Sequence, residues 1–233
     1  MTNETARPKV GRPRAVSDPA PNTAPREQIL LAAAQLFVEQ GFEATTTRAI
    51  AEAVGMRQAS LYYHFAGKDE LLEELLELSV RPSVELARSI VVTEPAEAAE
   101  ALYRLALADT RLLLESPHNI GSLYLLPEVS GPRFTAFREQ RVELQNCYGH
   151  LGAVASRLAQ RPDAVPGEGL LGMLVLQIVE TVIPVRRSRA VEAGPPDLAV
   201  SCLRVCGLDE RTIDRVVAAA AAAAAAGAAA AQL

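Results

Sequence analysis

The sequence predicts an all-α protein, and three features of its 233 residues support that prediction. Apolar residues recur at helical spacing, proline and glycine divide the periodic segments, and no stretch alternates with a strand period for more than a few residues. Nearly half of the residues (49%) are apolar, which is ample for a core. We therefore expect helices joined by short turns.

Residues 1–25 differ in composition from the rest of the chain. They contain five prolines and almost no large apolar side chain, so they cannot bury enough surface to offset the entropy lost on ordering. We expect a disordered basic arm there. It lacks the apolar segment of a signal peptide.

The first helix is expected to run from Arg26 to Gly41. Ile29, Leu30 and Phe37 lie on one face at helical spacing, and the periodicity stops at the glycine.

Residues 45–68, TTTRAIAEAVGMRQASLYYHFAGK, predict two short helices joined by a tight turn. Thr46 or Thr47 can cap the first of them, because a threonine hydroxyl accepts hydrogen bonds from the free amides of the first turn. Gly55 can enter the left-handed region at the turn without the steric cost of a Cβ. This arrangement is a helix-turn-helix.

The second short helix carries tyrosines, a histidine and a glutamine, whereas an ordinary exposed helix carries Glu and Lys pairs. A solvated helical hairpin is the alternative, but we expect this row to contact double-stranded DNA. Arginine pairs with guanine and glutamine with adenine, so Arg48 and Gln58 are predicted to reach base edges. Hydroxyls, amides and lysine are the usual phosphate partners. The predicted DNA-binding residues are Thr46, Thr47, Arg48, Arg57, Gln58, Ala59, Ser60, Tyr62, Tyr63, His64 and Lys68, with Arg12 and Arg14 of the arm.

The arm segment KVGRPR resembles an AT-hook, in which an extended Gly-Arg-Pro core places arginines in a narrow minor groove. Val10 stands where an arginine usually precedes the glycine. A solvated basic tail is therefore the alternative.

Charge is unevenly divided along the chain, whose net charge is −5. Residues 1–68 carry eight Lys or Arg against six Asp or Glu, and residues 69–233 carry fifteen against twenty-two. The acidic excess thus lies outside the predicted DNA-binding segment.

A long helix is expected to open at Lys68, where Asp69 and Glu70 favour the positive end of the helix dipole. Proline and glycine place further helices over residues 95–115, 118–126, 131–160, 167–189 and from 196 onward. Alanine is the best helix former, so the last helix should continue into the alanine-rich residues 218–231.

The stretch from Leu170 to Val185 is apolar on nearly every side. Such a helix must be covered all round, so on the outside of a bundle it needs a partner subunit. We expect a homodimer that buries this stretch. A central helix in a monomeric bundle is the alternative.

The stretch from Arg26 to about Leu78, with LAAAQLFVEQGFEATTTRAIAEAVGMRQASLYYHFAGKDELLEELL at its heart, resembles the DNA-binding region of the tetracycline-repressor (TetR) family. The resemblance implies a DNA-binding domain over residues 26–70, a helical effector-binding and dimerisation domain over 71–217, and a tail over 218–233. It also implies a four-helix dimer interface and an apolar pocket for a small ligand. The candidate pocket residues are Tyr103, His118, Tyr124, Phe134, Phe137, Tyr148 and Gln177.

The sequence offers little for catalysis or metal binding. Its histidines are isolated, and neither a zinc-type Cys/His cluster, a Gly-rich phosphate loop nor a GxSxG elbow occurs. Apart from the alanine tail, no uninterrupted apolar run reaches the roughly 18 residues that span a bilayer. We expect a cytoplasmic transcriptional repressor without a cofactor. It should bind a palindromic operator as a homodimer, and a small-molecule effector should release it from the DNA. An architectural DNA-coating protein that uses the arm is the alternative.

Overall fold

The computed structural model describes residues 24–188 and 193–230, and in these residues the protein is helical and has no strand, as predicted. Apart from its last two residues, the predicted arm lies outside the described residues, and so do Arg12 and Arg14. The α-helices of the described chain are α1 (Pro25–Gln40), α2 (Thr47–Ala53), α3 (Gln58–His64), α4 (Lys68–Ser89), α5 (Pro95–Glu115), α6 (Thr135–Ala155), α7 (Glu168–Glu180), α8 (Val182–Ser188), α9 (Pro195–Val205) and α10 (Glu210–Ala230).

The first three helices form the predicted helix-turn-helix unit. Thr46 caps α2, because its Oγ1 accepts a hydrogen bond from the amide of Ala49 at 3.1 Å. Gly55 turns the chain with φ +72°, in the left-handed region that favours glycine. Leu61 and Phe65 are almost fully buried, so α3 is fixed by its apolar side.

Helix α4 connects this unit to the other helices. Its first turn contains Asp69 and Glu70, and the Glu70 carboxylate accepts a hydrogen bond from the amide of Ala66 at 2.5 Å. It packs against α1, α5 and α6, so one apolar core continues from the helix-turn-helix into the rest of the chain. Its buried inner face includes Leu71, Leu72, Leu75, Leu76 and Val80.

Two of the predicted helices begin or end elsewhere than expected. Residues 118–126 form only a 3₁₀ turn, Ile120–Leu123, because the segment between two prolines is too short for a stable α-helix. The helix expected over 131–160 is α6. It is shorter than expected, because a 3₁₀ turn that starts at Pro132 precedes it and a second 3₁₀ turn, Ser156–Leu158, follows it.

Another predicted helix is divided in two, and the group of helices expected from residue 196 onward consists of α9 and α10. The helix expected over 167–189 breaks at Thr181 into α7 and α8, because Pro184 has no amide hydrogen to donate to the carbonyl of Glu180. The helices after residue 196 are separated at Gly207, whose φ of +80° is in the left-handed region.

Helices α6 and α7 approach each other closely at two glycines. A Cβ built on Gly172 would lie 2.3 Å from the carbonyl oxygen of Gln145, and one on Gly149 would lie 2.5 Å from that of Glu168. Only hydrogen atoms fit at these points, so the two backbones are held in direct contact.

Candidate nucleic-acid interface

Helix α3 separates a buried side from an exposed aromatic side. Leu61 is fully buried, whereas Tyr62 is 50% and Tyr63 is 88% exposed. The His64 ring contacts Tyr63 edge to face, with 5.3 Å between ring centroids. The unit therefore presents large side chains to solvent from a fixed backbone.

Hydrogen bonds join α2 to the start of α3. Gln58 Nε2 donates to Thr47 Oγ1 at 2.9 Å, and the hydroxyls of Thr47 and Tyr62 lie 3.1 Å apart. We call these three residues the α2–α3 network. It holds the Gln58 amide in place at the first residue of α3.

The neighbouring predicted residues are also accessible. Arg57, Ala59 and Ser60 are exposed at the beginning of α3, and Thr46 is exposed where it caps α2. The structure thus places these side chains at the start of each helix, where DNA-binding proteins contact phosphates and bases.

Arg48 has a partner in its own helix. Its Nε lies 2.9 Å from Glu52 Oε1, and this hydrogen bond and the charge of Glu52 raise the pKa of the guanidinium. Both side chains are largely exposed, and exposed ion pairs contribute little. Arg48 can therefore exchange Glu52 for a base at small cost.

Lys68 is held against the connection between α1 and α2. Its Nζ donates to the carbonyl oxygens of Phe42 at 3.2 Å and Glu43 at 3.4 Å, and lies 4.4 Å from the centroid of the Phe42 ring. The predicted phosphate ligand thus also fixes the start of α4 to the helix-turn-helix unit.

Two of the candidate pocket residues meet in the helical core. The rings of Tyr124 and Phe137 are 5.2 Å apart, and the Arg141 guanidinium lies 4.7 Å from the Tyr124 centroid. Arg141 also forms an ion pair with Glu180. The Tyr124 hydroxyl is 2.9 Å from that of Ser79, which connects this cluster to α4.

Tyr148 belongs to a buried polar cluster around Asp109. The carboxylate accepts hydrogen bonds from Ser83 at 2.8 Å and from the Tyr148 hydroxyl at 2.9 Å. Burial raises the pKa of Asp109 to about 6, against the lowering effect of these two hydrogen bonds. The carboxylate joins α4, α5 and α6.

The other candidate pocket residues differ in their exposure. Tyr103 and Phe134 are buried, whereas Gln177 is exposed on α7 and donates to Glu180 Oε2 at 3.2 Å. His118 lines a cleft of about 390 Å³ between α1, α4 and the end of α5.

The outer face of α7 is apolar and uncovered. Leu170 is 49% and Met173 is 46% exposed, while Leu171, Val175 and Leu176 pack inward. By length and composition, residues 168–186 also form a helical stretch able to cross a membrane, although Gln177 and Glu180 interrupt its apolar run. Core helices pass the same test, and α7 packs against α6 and α9, so this is weak evidence for a span.

Comparison with known proteins gives a consistent result. Residues 29–75 match the family described as bacterial regulatory proteins, tetR family. The crystal structure of Mycobacterium smegmatis AmtR is 37% identical, with a TM-score of 0.77 over 88% of this chain and 97% of that one. The chain belongs to the TetR family. This confirms the resemblance stated from the sequence.

Curated relatives of this TetR-family chain match over the DNA-binding region. The HTH-type transcriptional repressor KstR2 of Mycobacterium tuberculosis is 49% identical over 51 residues, which are 22% of this chain and 26% of that protein. The tetracycline repressor protein class C of Escherichia coli is 41% identical over 56 residues, or 24% and 25% of the two chains. The chain therefore spans about a quarter of the length of these curated relatives.

Several polar residues in the core of this TetR-family chain were not predicted from the sequence. Ser83 and Tyr148 both donate to Asp109, and Arg141 stacks on Tyr124, but Ser83, Asp109 and Arg141 were not candidates. The burial of Asp109 could have been predicted from the sequence, because it lies at helical spacing from the inward-facing Leu102, Leu105 and Leu113 of α5.

Among the described residues, no group of three or more His, Cys, Asp or Glu side chains could hold a metal ion. Cys202 and Cys206 are buried, and burial raises the pKa of both thiols.

Proposed function

We propose that this TetR-family chain is a cytoplasmic transcriptional repressor that binds a palindromic operator as a homodimer and is released by a small-molecule effector. The α2–α3 network supports this most directly, because it holds a glutamine amide at the start of an exposed helix. Glutamine in that position can form two hydrogen bonds with an adenine edge in the major groove. The repressor named KstR2 is 49% identical across this region.

In this proposal residues 26–70 bind DNA and residues 71–217 bind the effector and the second subunit, with residues 218–233 as a tail. Arg48 and Gln58 contact bases, while Thr46, Thr47, Tyr62, Tyr63, His64 and Lys68 contact phosphates. Because one helix-turn-helix offers few base contacts, two recognition helices about 34 to 36 Å apart, or a multiple of that, read two half-sites together.

Release operates through α4. Lys68 fixes the start of this helix to the helix-turn-helix, and Ser83 connects its other half to Asp109 in the core. A shift of α4 therefore changes the separation of the two recognition helices. An effector produces the shift only if it binds the released conformation more tightly than the DNA-bound one.

Dimerisation uses the stretch from Leu170 to Val185 and the helices after it. The uncovered Leu170 and Met173 support this assignment, because an apolar strip of this kind on an outer helix fits a subunit interface.

A footprinting experiment separates this function from the alternative of an architectural DNA-coating protein. Genomic fragments selected by the purified chain are probed with DNase I. Protection of one discrete palindrome is expected for a regulator, whereas even protection of A·T-rich DNA would establish coating instead.

A chain lacking residues 1–20 is the companion variant. If the arm contacts the minor groove or phosphates, its removal lowers affinity and the slope of affinity against salt while the helical content is unchanged. Unchanged operator affinity at low salt would show that the arm is a passive tail.

A further inference from the structure

A cleft opens where the helix-turn-helix unit meets the helical core. One wall is α1, with Leu31 exposed in it; the second is α4, with Leu78 exposed; the third is the end of α5 and the following turn. We call this space of about 390 Å³ the junction cleft. Its volume is within the range of roughly 300 to 1,000 Å³ that small-molecule sites occupy. Its apolar lining consists of Leu30, Leu31, Ala34, Leu75, Leu78, Leu112, Leu113, Pro117 and Ile120.

The polar groups of the junction cleft carry negative charge without compensation. Glu27 lines it from α1 and Glu115 from the end of α5, and no basic side chain in the described part of the chain pairs with either carboxylate. Arg186, near the third wall, donates instead to the carbonyl oxygens of Leu113 and Ser116. The charged groups of the lining are therefore both acids.

His118 is the remaining polar group of the wall. Partial burial, together with the charge of Arg186, lowers its pKa against the opposing effect of Glu39, so the imidazole is neutral at neutral pH. Within residues 24–188 and 193–230, no side chain forms a hydrogen bond with this imidazole. It adds no positive charge and leaves a polar group free for a ligand.

We infer that the junction cleft binds a small apolar molecule that carries one positive charge. The apolar body would cover the exposed leucines, and the cation would sit between Glu27 and Glu115. Calling this ligand the effector rests on the proposed function; its binding does not.

The position of the cleft gives the ligand a physical effect. Helix α1 belongs to the helix-turn-helix unit, whereas α5 belongs to the core, and α1 also packs against the 3₁₀ turn Ile120–Leu123. A molecule between them would set the distance from α1 to α5 and so the orientation of the DNA-binding unit.

Three decyl compounds test the chemistry by calorimetric titration of the full chain without DNA. They are decyltrimethylammonium, decan-1-ol and decanoate, each below its micelle concentration. Two partly exposed carboxylates should make the cation bind about tenfold or more tightly than decanoate, with decanol between them. Equal affinities for the three head groups would overturn the inference.

Matched variants locate the site. Leu31→Trp fills the cleft and should weaken decyltrimethylammonium binding about tenfold or more, whereas Leu114→Trp, equally exposed on α5 but outside the lining, should leave it within about twofold. Leu78→Trp fills the cleft from α4 and serves if the first variant unfolds. Undiminished binding to a folded cleft-filling variant would place the ligand elsewhere and overturn the inference.

A second pair of variants tests whether Glu27 and Glu115 select the positive charge. Glu27→Gln with Glu115→Gln should remove the preference for the cation, while Glu97→Gln with Glu139→Gln, two exposed acids without an ion pair in the described chain, should preserve it. Retention of the preference in the first pair would contradict the charge assignment. Because no DNA is present, failure of these titrations is distinct from failure of the footprint.

Discussion

At the scale of single residues, the structure distinguishes two side chains that the sequence treated alike. Gln58 is already fixed by Thr47 at 2.9 Å, whereas Arg48 is bound to Glu52 at the same distance. Gln58 can keep Thr47 while its Oε1 and its second Nε2 hydrogen meet a base, whereas Arg48 exchanges Glu52 for the base. The Gln58 side chain thus loses less conformational freedom on binding. Gln58 should therefore contribute more to sequence selection than Arg48.

Replacing Gln58 with Ala tests this assignment. The change should cost about 1 to 3 kcal/mol on the operator and little on random DNA, because it removes a pair of hydrogen bonds to one base and no phosphate contact. Fluorescence anisotropy with both DNAs at one salt concentration measures the two losses. Equal losses on the two DNAs would sink the assignment of Gln58 as a base-reading residue.

Asp109 predicts a pH dependence of stability. Its pKa is raised to about 6 in the folded chain, chiefly by burial, so the fold favours the protonated carboxyl. Stability is then highest below the unfolded pKa of about 4 and falls as pH rises toward 6, where it levels off. The rise in pKa corresponds to roughly 3 kcal/mol.

Urea unfolding of the wild type and of Asp109→Asn between pH 4 and 7 isolates this contribution. The stability of the wild type relative to the variant should decline by up to about 3 kcal/mol across that interval. Asp209→Asn is the control, because hydrogen bonds from Thr212 lower the pKa of Asp209, so its contribution changes only below this interval and its difference from the wild type should stay constant across it. A difference between wild type and Asp109→Asn that stays constant with pH would refute the prediction.

At the scale of elements, the contact between α6 and α7 depends on the absence of side chains. Gly172→Ala would place a methyl group 2.3 Å from a backbone oxygen, so one helix must move. Overpacking of this kind costs about 1 to 3 kcal/mol.

Gly169→Ala is the matched control, because a Cβ there meets nothing within 4 Å. It should be neutral or stabilise α7 by up to about 1 kcal/mol, since alanine favours the helix over glycine. Chemical unfolding of both variants gives the comparison. If the two cost the same, the close approach of the backbones does not hold these helices together.

At the scale of the whole molecule, α7 distinguishes the core of one subunit from the proposed interface between two. Leu176 is 5% exposed and faces the core of its own chain, whereas Met173 is 46% exposed on the outer face. Burying an unpaired charge is costly at either position. At Leu176 the cost falls on the folding of one subunit, whereas at Met173 it falls on the association of two subunits.

Met173→Glu should therefore give a folded monomer that loses the operator, while Leu176→Arg should destabilise the chain itself by several kcal/mol. Leu125→Glu, at a residue 91% exposed in a turn, should remain a dimer. Sedimentation with circular dichroism measures assembly and folding together. A wild type that is monomeric at micromolar concentration yet protects one discrete palindrome would disprove this interface.

The sequence by itself determined the helical class, the helix-turn-helix and the family. These depend on local signals: a threonine that caps, a glycine at positive φ and apolar residues at helical spacing. Such signals act over a few residues, so a cap at Thr46 or Thr47 and a turn at Gly55 could be assigned from the printed letters alone, and the structure selects Thr46 as the cap.

Only the tertiary structure decided which distant side chains meet. Ser83, Asp109 and Tyr148 come from three helices, and the junction cleft takes its walls from α1, α4 and α5. These contacts depend on how helices cross, which a periodic pattern leaves open because it specifies the apolar side of a helix but not its neighbour. The structure also decides the exposure of the candidate pocket residues: Phe137 and Tyr148 are buried, whereas Gln177 is exposed on α7 and His118 lines the junction cleft.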